Sequence, residues 1–431
     1  MGRPMSLLDT DFYKFTTGYA VMMKFPLAEA VFEFTDRNKV PRTDEFLEEF
    51  KRELKKMEQM DMSSEEFNWL CENVDFMSPW YWEWLRGFRF EYSKMEPYLD
   101  EDRVLHVRVC DRWYKSSLYE IPVLYAVPEV QNRLDGNTDK VDMSDVERRT
   151  LEKINLANRH EMKFSEFGTR RRFNFDVQDK VVETLKKYST TCTGTSNVYL
   201  AMKYGMKPMG THPHEWFMAH QIYGYQSCNY MALKHWKDVY QGNLGIALTD
   251  TLGTDAFMRN FTMDFAKAFD GGRQDSGDEI EFTNKFVGKY KSFNIDPRTK
   301  VIVFSNALDF YKAVRILKYC EGRAGNVKSV KELMEIPEDK IFDLTLMKNP
   351  IIQASFGIGT NLTNDVWIIL DSEYGNWKQV KAENIVMKMS KFRLSPSDPW
   401  LDTIKLSDDL GKHMGPETEI MFAKHNLGIT Q

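Results

Sequence analysis

No stretch of this 431-residue chain is apolar for long enough to cross a bilayer. Its first residues, MGRPMSLLDTDFYKF, place Asp9 and Asp11 where a secretory signal needs an unbroken apolar core, so a cytoplasmic protein is expected. Cysteine is scarce and scattered: Cys71, Cys110, Cys192, Cys228 and Cys320 stand singly, which excludes a CxxC metal knuckle and a dense disulfide framework. Reduced, structural thiols are the expectation. An excess of positive charge is also missing, with 58 Lys and Arg against 64 Asp and Glu and a net charge of -6. That balance argues against nonspecific nucleic-acid or anionic-membrane binding, and no nucleic-acid or membrane partner is expected. Any anionic ligand must be caught by local cations. Neither a repeat of solenoid period nor a low-complexity segment is visible.

What remains is a globular composition, 42% hydrophobic and 28% charged, long enough for one large or two to three ordinary domains. Residues 1–125 are rich in aromatics and read as a mixed α+β domain. There DEFLEEFKRELKKMEQM (44–60) has the period of an exposed amphipathic helix and RVLHVRVCDRWY (103–114) alternates like a half-buried strand. The polar stretch LDGNTDKVDMSD (134–145) reads as a boundary or long loop. Beyond it the texture changes. VVETLKKYS is helical in period, and Ser196 is a candidate N-cap for NVYLAMKYG, which ends on Gly205. MKPMGT leads into HEWFMAHQIYG, GIALTD into TDAFMRNF, and KVIVFSN into LDFYKAVRILKYC. A short apolar segment, a polar turn and a helix, repeated, predict parallel βα units in a barrel or doubly wound sheet, with the chemistry at the strand C-termini.

GTHPHEWFMAH (210–220) concentrates three of the eight histidines in eleven residues. His212 and His214 form a His-x-His pair that on a strand would present both rings to one face, as a metal site needs. A hydrolytic metal centre, however, needs further ligands at other strand ends. Downstream lie only His220, His235, His413 and His425, none in a strand-end motif, and Pro213 disfavours a regular central strand. Thr211-x-x-His214 is the better unit; either one imidazole does chemistry while the others pack, or all three are ordinary surface or core histidines.

Four other stretches share the strand-end location. EFGTRRR (166–172) sets Phe167 beside three arginines, a run that also fits a solvated face. Of the three, Arg170, nearest the Phe-Gly turn, is expected to point inward. FDGGRQDSGDE (269–279) holds Arg273, Asp275 and Asp278 among glycines, and Ser276 with Glu279 fits a capping box. TGTSN (193–197) and FGIGTNLT (356–363) are glycine- and hydroxyl-rich turns. The second follows an apolar segment, where backbone N–H groups can form an anion nest, or it is a plain tight turn. Tyr13, in DTDFYKF, is either core or a flat face for an aromatic ligand.

Taken in order, DTDFYK, EFGTRR, GTSNVYLA, GTHPHEWF, LTDTLGTDAF, GGRQDSGD and FGIGTNLT resemble the motif set of the nicotinate phosphoribosyltransferase family, from about residue 5 to KLSDDLGK beyond 405. The resemblance implies an α/β fold: an irregular TIM-like βα barrel, a type II phosphoribosyltransferase, over 126–380. It also implies a smaller mixed α+β domain built from both chain ends, with 381–431 returning to 1–125. It implies a homodimer with shared active sites that joins nicotinate to 5-phosphoribosyl 1-diphosphate (PRPP), with ATP as co-substrate and Mg²⁺ accompanying PRPP and ATP. On this resemblance His214 is the histidine that ATP phosphorylates and Thr211 a substrate contact. Phe167 and Tyr13 stack on the ring, Tyr13 arriving from the other subunit. Arg273 lies near the substrate carboxylate and ribosyl group, Asp275 holds ribose hydroxyls, and Arg170, Thr360 and the backbone of Gly357 and Gly359 take phosphate groups. Arg37, in EFTDRN, resembles a cross-subunit anion contact.

The residue types suit that reaction. The pyridine nitrogen already carries a lone pair, so no general base is needed, and the absence of a Ser-His-Asp triad is expected. The nicotinamide enzymes share the fold but carry an acidic residue where Ser196 stands, so Ser196 favours an acid substrate over an amide. A catalytically silent nucleotide-binding protein on the same scaffold is a further alternative, against which His214, Arg273 and Asp275 stand together.

Overall fold

The computed structural model describes residues 3–210, 212–343, 347–371 and 376–429. By its contacts the chain divides into two compact units, each assembled from three segments. The first comprises 1–154, 166–210 and 359–400, and the second 155–165, 211–358 and 401–431. This division cuts the chain elsewhere than the expected boundaries: residues 125 and 380 both fall inside the first unit, and 401–431 belongs to the second. Nor is 134–145 a long loop, because a short 3-10 turn (Thr138–Lys140) passes directly into the helix Met143–Arg159.

In the first unit the strand Glu29–Asp36 pairs antiparallel with Ile385–Arg393 on one side and Arg108–Arg112 on the other. Phe32 lies opposite both Met389 and Val109, and all three are buried. The same unit carries the helix Asp44–Lys56, capped by the Thr43 hydroxyl, which accepts from Phe46 N. Its buried Phe46, Phe50 and Leu54 recur every fourth residue, as the amphipathic pattern predicted. The arginine run resolves differently from expectation. Arg172, not Arg170, is the fully buried one: it makes a bidentate pair with Asp9 (2.7 and 2.8 Å), reaches Glu129 at 2.8 Å and lies 4.2 Å over the Tyr125 ring. Those partners satisfy the guanidinium in a dry interior, where an unpaired charge would cost several kcal/mol.

The second unit carries the alternating βα units. Parallel pairing aligns Ile246–Leu248 with Gly271–Gln274, that strand with Val301–Phe304, and the last with Gln353–Ile358. The strand Phe164–Glu166 lies next to Gln353–Ile358. Helices follow at Thr254–Asn260, Glu279–Ser292 and Phe310–Cys320, so the polar turns between strand and helix sit at the strand C-termini as the sequence rhythm requires. Gly272 has a packing role, since a Cβ there would overlap the Phe286 ring. Phe286 in turn stacks on Phe257 and Phe282 in the buried core. All five cysteines are free thiols. Among the described residues no helix is long and apolar enough to cross a membrane.

Candidate active site

His214 is the first residue of the helix His214–Ala219 and is only 5% exposed. Its Nδ1 lies 3.0 Å from Thr251 Oγ1, in the turn after Ile246–Leu248. Its Nε2 lies 3.0 Å from Asp275 Oδ2, after Gly271–Gln274, and 3.0 Å from Lys405 Nζ, with Asp250 Oδ1 at 3.6 Å. Two serines fix the carboxylates: Ser276 donates to Asp250 Oδ2 at 2.6 Å and Ser305 to Asp275 Oδ1 at 2.7 Å. Thus two strand-end turns and the 401–431 segment deliver side chains to one imidazole, and a third turn supplies Ser305 behind Asp275.

The neighbouring histidines answer a different need. His212 is fully buried, its Nδ1 3.4 Å from Leu248 N and its ring edge-on to Phe217 and Trp236. Burial, with Arg273 adding to it, pushes its pKa far down, so it is a neutral core residue. His220 is equally buried, and its Nδ1 meets Trp216 O. Only His214 of the three faces a cluster of charges.

Burial and the Lys405 ammonium lower the His214 pKa to about 4 despite Asp250 and Asp275, leaving a neutral ring across the physiological range. Burial alone would raise Asp275, but Arg273, His214 and Lys405 hold it well below the carboxylate range. Asp250, which burial would likewise raise, is held down chiefly by Lys405. Arg273 itself keeps a buried Nε without a hydrogen-bond partner, a donor left for an anion. His214, Asp250 and Asp275 bring three ligand atoms within 4.8 Å of one another. The Lys405 ammonium already stands 3.0 Å from the first and 3.4 Å from the second. A resident divalent cation does not fit a donor set whose charge is offset in this way.

A second cluster lies in the first unit. Glu166, fully buried, accepts from Thr195 Oγ1 at 2.5 Å, from Gly168 N, and from Gln178 at 3.2 Å. It thereby ties the Phe167–Arg170 turn to the TGTSN turn. Thr363 Oγ1 donates to Gly168 O at 2.9 Å, which adds the Gly359–Thr363 turn to the same assembly, and a Cβ on Gly168 would overlap that threonine. Phe167, Arg170 and Thr360 are all half-buried on these turns. Tyr13, also half-buried, opens the helix Phe12–Lys24 near Gly210, where a Cβ would lie 2.8 Å from Tyr13 N.

The helix cap here differs from the expected one. Asn197, not Ser196, caps Val198–Tyr204 by accepting from Leu200 N. That leaves the Ser196 hydroxyl to donate to Asp11 Oδ1 at 2.6 Å. So a carboxyl does stand beside Ser196, although burial raises its pKa and favours the neutral form. The capping box expected of Ser276 and Glu279 is likewise absent. Asp278 caps that helix, and Ser276 serves Asp250 instead.

Of the remaining expected residues, Gly357 is buried in its strand in the second unit and Gly359 ends the same stretch in the first. Arg37 lies exposed past the end of Glu29–Asp36, and Thr211 falls outside the described residues. The sequence reading missed Asp250, Thr251, Lys405, Asp11 and Glu166. Asp250 and Thr251 stood in a quoted motif at a strand end, and Asp11 two residues before Tyr13, so position alone was a usable signal.

Burial raises the Glu166 pKa to about 7. Its folded pKa thus lies above the unfolded one, so its stabilising contribution is complete below pH 4.5 and is lost as pH climbs to about 7. Glu166→Gln removes that dependence. In urea melts at pH 5 and pH 8 the stability difference between variant and wild type is expected to move in the variant's favour by about 2–3 kcal/mol on raising the pH. Parallel pH profiles of the two proteins would exclude this role.

Together these features define an α/β enzyme whose site holds a neutral, charge-surrounded histidine beside strand C-terminal turns and an arginine whose Nε has no hydrogen-bond partner among the described residues. Residues 162–427 match the nicotinate phosphoribosyltransferase (NAPRTase) family and residues 8–128 the N-terminal domain of the same family. The chain is 38% identical over 429 residues to a nicotinate phosphoribosyltransferase of Chromohalobacter salexigens, covering 99% of each. It is 35% identical to that of Methanosarcina acetivorans, covering 98% of each. The crystal structure of the enzyme from Porphyromonas gingivalis superposes with a TM-score of 0.87 at 40% identity, over 98% of this chain and 99% of that one. The chain belongs to the nicotinate phosphoribosyltransferase family, enzymes of NAD salvage.

Proposed function

We propose that this cytoplasmic enzyme joins nicotinate to PRPP, giving nicotinate mononucleotide and pyrophosphate, and couples the step to ATP through a phosphoryl group carried on His214. The observation that carries the coupling is the His214 ring itself, buried, neutral and bracketed by Thr251, Asp275 and Lys405. In the transfer step the pyridine nitrogen lone pair forms the bond to the anomeric carbon. The bond from that carbon to the pyrophosphate oxygen breaks, and its electron pair leaves with pyrophosphate. Arg273 offsets the negative charge, and Asp275 holds ribose hydroxyls near a carbon that gains oxocarbenium character. Mg²⁺ arrives as the counter-ion of the PRPP and ATP phosphates.

The remaining roles are those that the resemblance to the family implies. Tyr13 and Phe167 stack on the pyridine ring, Ser196 lies at its carboxylate, and Thr211 contacts substrate. Arg170, Thr360 and the backbone of Gly357 and Gly359 take phosphates, and Arg37 makes an anion contact across subunits. The parallel strands form the wall of an irregular TIM-like barrel. Supplying nicotinate, nicotinamide and quinolinate separately with PRPP, with and without ATP, tests the reading. Nicotinate mononucleotide is the expected product, formed faster with ATP, and nicotinamide mononucleotide as the main product would overturn it.

The working unit in this reading is a homodimer whose sites take Tyr13 from the partner. Mixing Tyr13→Ala and His214→Ala proteins, each lacking ATP-coupled activity, through partial unfolding should then restore that activity. Half of the sites in each heterodimer carry both residues intact, by twofold symmetry. Inactive heterodimers, identified with distinguishable tags, alongside wild-type subunits that recover from the same exchange would show that Tyr13 serves its own chain.

A further inference from the structure

A histidine that accepts a phosphoryl group must present a lone pair, yet His214 sits where it should lose one. Asp275 Oδ2 is 3.0 Å and Asp250 Oδ1 3.6 Å from its Nε2, and two carboxylates at such distances favour the imidazolium form. The charged groups facing the ring come from three elements. Asp250 lies in the turn after Ile246–Leu248. Asp275, with Arg273 behind it, follows Gly271–Gln274. Lys405 lies in the 401–431 segment, and His212, two residues before His214, is neutral. Lys405 is the cation nearest the ring among these, 3.0 Å from Nε2 and 3.4 Å from Asp250 Oδ2, and it is only 5% exposed.

Its backbone is held on both sides. Lys405 exchanges hydrogen bonds with Met414 at 3.0 and 2.8 Å, Leu406 N donates to Thr251 O at 2.8 Å, and Ile404 N donates to Gln221 Oε1 at 2.9 Å. The ammonium is therefore a fixture of the pocket and not a surface lysine that happens to reach it.

We propose that Lys405 is a positioning residue that keeps the His214 ring neutral between its two carboxylates, so that the ring accepts a phosphoryl group without first losing a proton. The inference rests on the phosphohistidine reading above for its purpose, but the effect on the ring is measurable without it. In the step it serves, a ring-nitrogen lone pair forms the bond to the γ-phosphorus of ATP. The bond from that phosphorus to the bridging oxygen breaks, and its electron pair leaves with ADP. On hydrolysis a water oxygen bonds to phosphorus, the nitrogen–phosphorus bond breaks with its pair returning to the ring, and the water proton leaves with phosphate.

The test uses full-length enzyme with ring-¹⁵N-labelled histidine, the His214 signals being assigned by their loss in His214→Ala. In wild type His214 should stay neutral from pH 5.5 to 8. In Lys405→Met and in Lys405→Gln, which keeps a polar contact without the charge, its titration should move up by about three units, to a midpoint near pH 7, so that imidazolium predominates at pH 6. Lys405→Arg, which keeps the charge, should hold the ring neutral. In parallel, incorporation of acid-labile phosphate from labelled ATP should fall about tenfold between pH 8 and pH 6 in the uncharged variants, as a midpoint near pH 7 requires, and less than about twofold in wild type. Two uncharged substitutions guard against one that fails to fold. A His214 signal that titrates in either folded variant as it does in wild type would overturn the proposal, as would imidazolium at pH 6 in Lys405→Arg. An upward shift with no phosphate on wild-type His214 would support the assignment of Lys405 and count against the phosphohistidine.

Discussion

Replacing His214 by alanine is expected to reduce the ATP-supported rate to the rate measured without ATP, leaving a slow ATP-independent transfer. The ring makes no bond to the carbon or nitrogen that react, so its loss uncouples the energy source without removing the transfer machinery. Acid-labile phosphate on the wild type should vanish in the variant, and ATP hydrolysis in step with product should vanish with it. The side chain is buried but its partners are polar, and Asp250, Asp275 and Lys405 retain one another and their serines. A folded variant with altered coupling is therefore the expected outcome. Continued stoichiometric ATP hydrolysis in His214→Ala would remove this residue from the phosphoryl path.

Arg273→Ala should lower kcat/KM for nicotinate far more than it lowers stability. Among the described residues the Arg273 Nε has no hydrogen-bond partner, so removing it breaks no hydrogen bond of that atom there. What the variant loses is a charge-assisted contact to an anion in a poorly hydrated site, about 1.5–3 kcal/mol, or roughly ten- to more than a hundredfold in rate. A second effect has the same origin. Arg273 is the leading influence holding the Asp275 carboxyl down against burial, so the pH at which activity falls on the acid side should move upward in the variant. Steady-state kinetics over a pH series, with thermal melts of the same preparations, separate the two. Near-normal kcat/KM in a folded variant would eliminate the assignment.

The alternation of strand, turn and helix was legible because it is a local property. GIALTD followed by TDAFMRNF, and KVIVFSN by LDFYKAVRILKYC, carry their own period and punctuation, and the structure places strands and helices there. The histidine cluster of GTHPHEWFMAH was legible in the same local way, but the choice of His214 within it came from the resemblance of the ordered motifs. Lys405 was not legible. It meets His214 across 191 residues, and no local pattern distinguishes a lysine that will be buried beside an imidazole from one that will be solvated. Glu166 and Asp11 were invisible for a related reason: burial outweighs the hydrogen bonds and charges that favour ionisation and raises both carboxyls, and burial is a tertiary property. The error over Ser196 was one of single-residue resolution. Ser and Asn both cap helices well, and the choice of Asn197 is what releases the serine hydroxyl toward Asp11.

The segmented make-up of the two units governs how the chain can be born. The central strand of the first unit's antiparallel sheet, Glu29–Asp36, waits for Ile385–Arg393 to cover one of its edges. At elongation rates of about 5–20 residues per second that wait lasts roughly 20–70 s, during which a row of backbone donors and acceptors flanked by Val31, Phe32 and Phe34 is open to any other strand. Premature termination anywhere before residue 385 would leave that edge open for good. Nascent and truncated chains, far more than the finished enzyme, are the forms in which this protein should aggregate and need a chaperone.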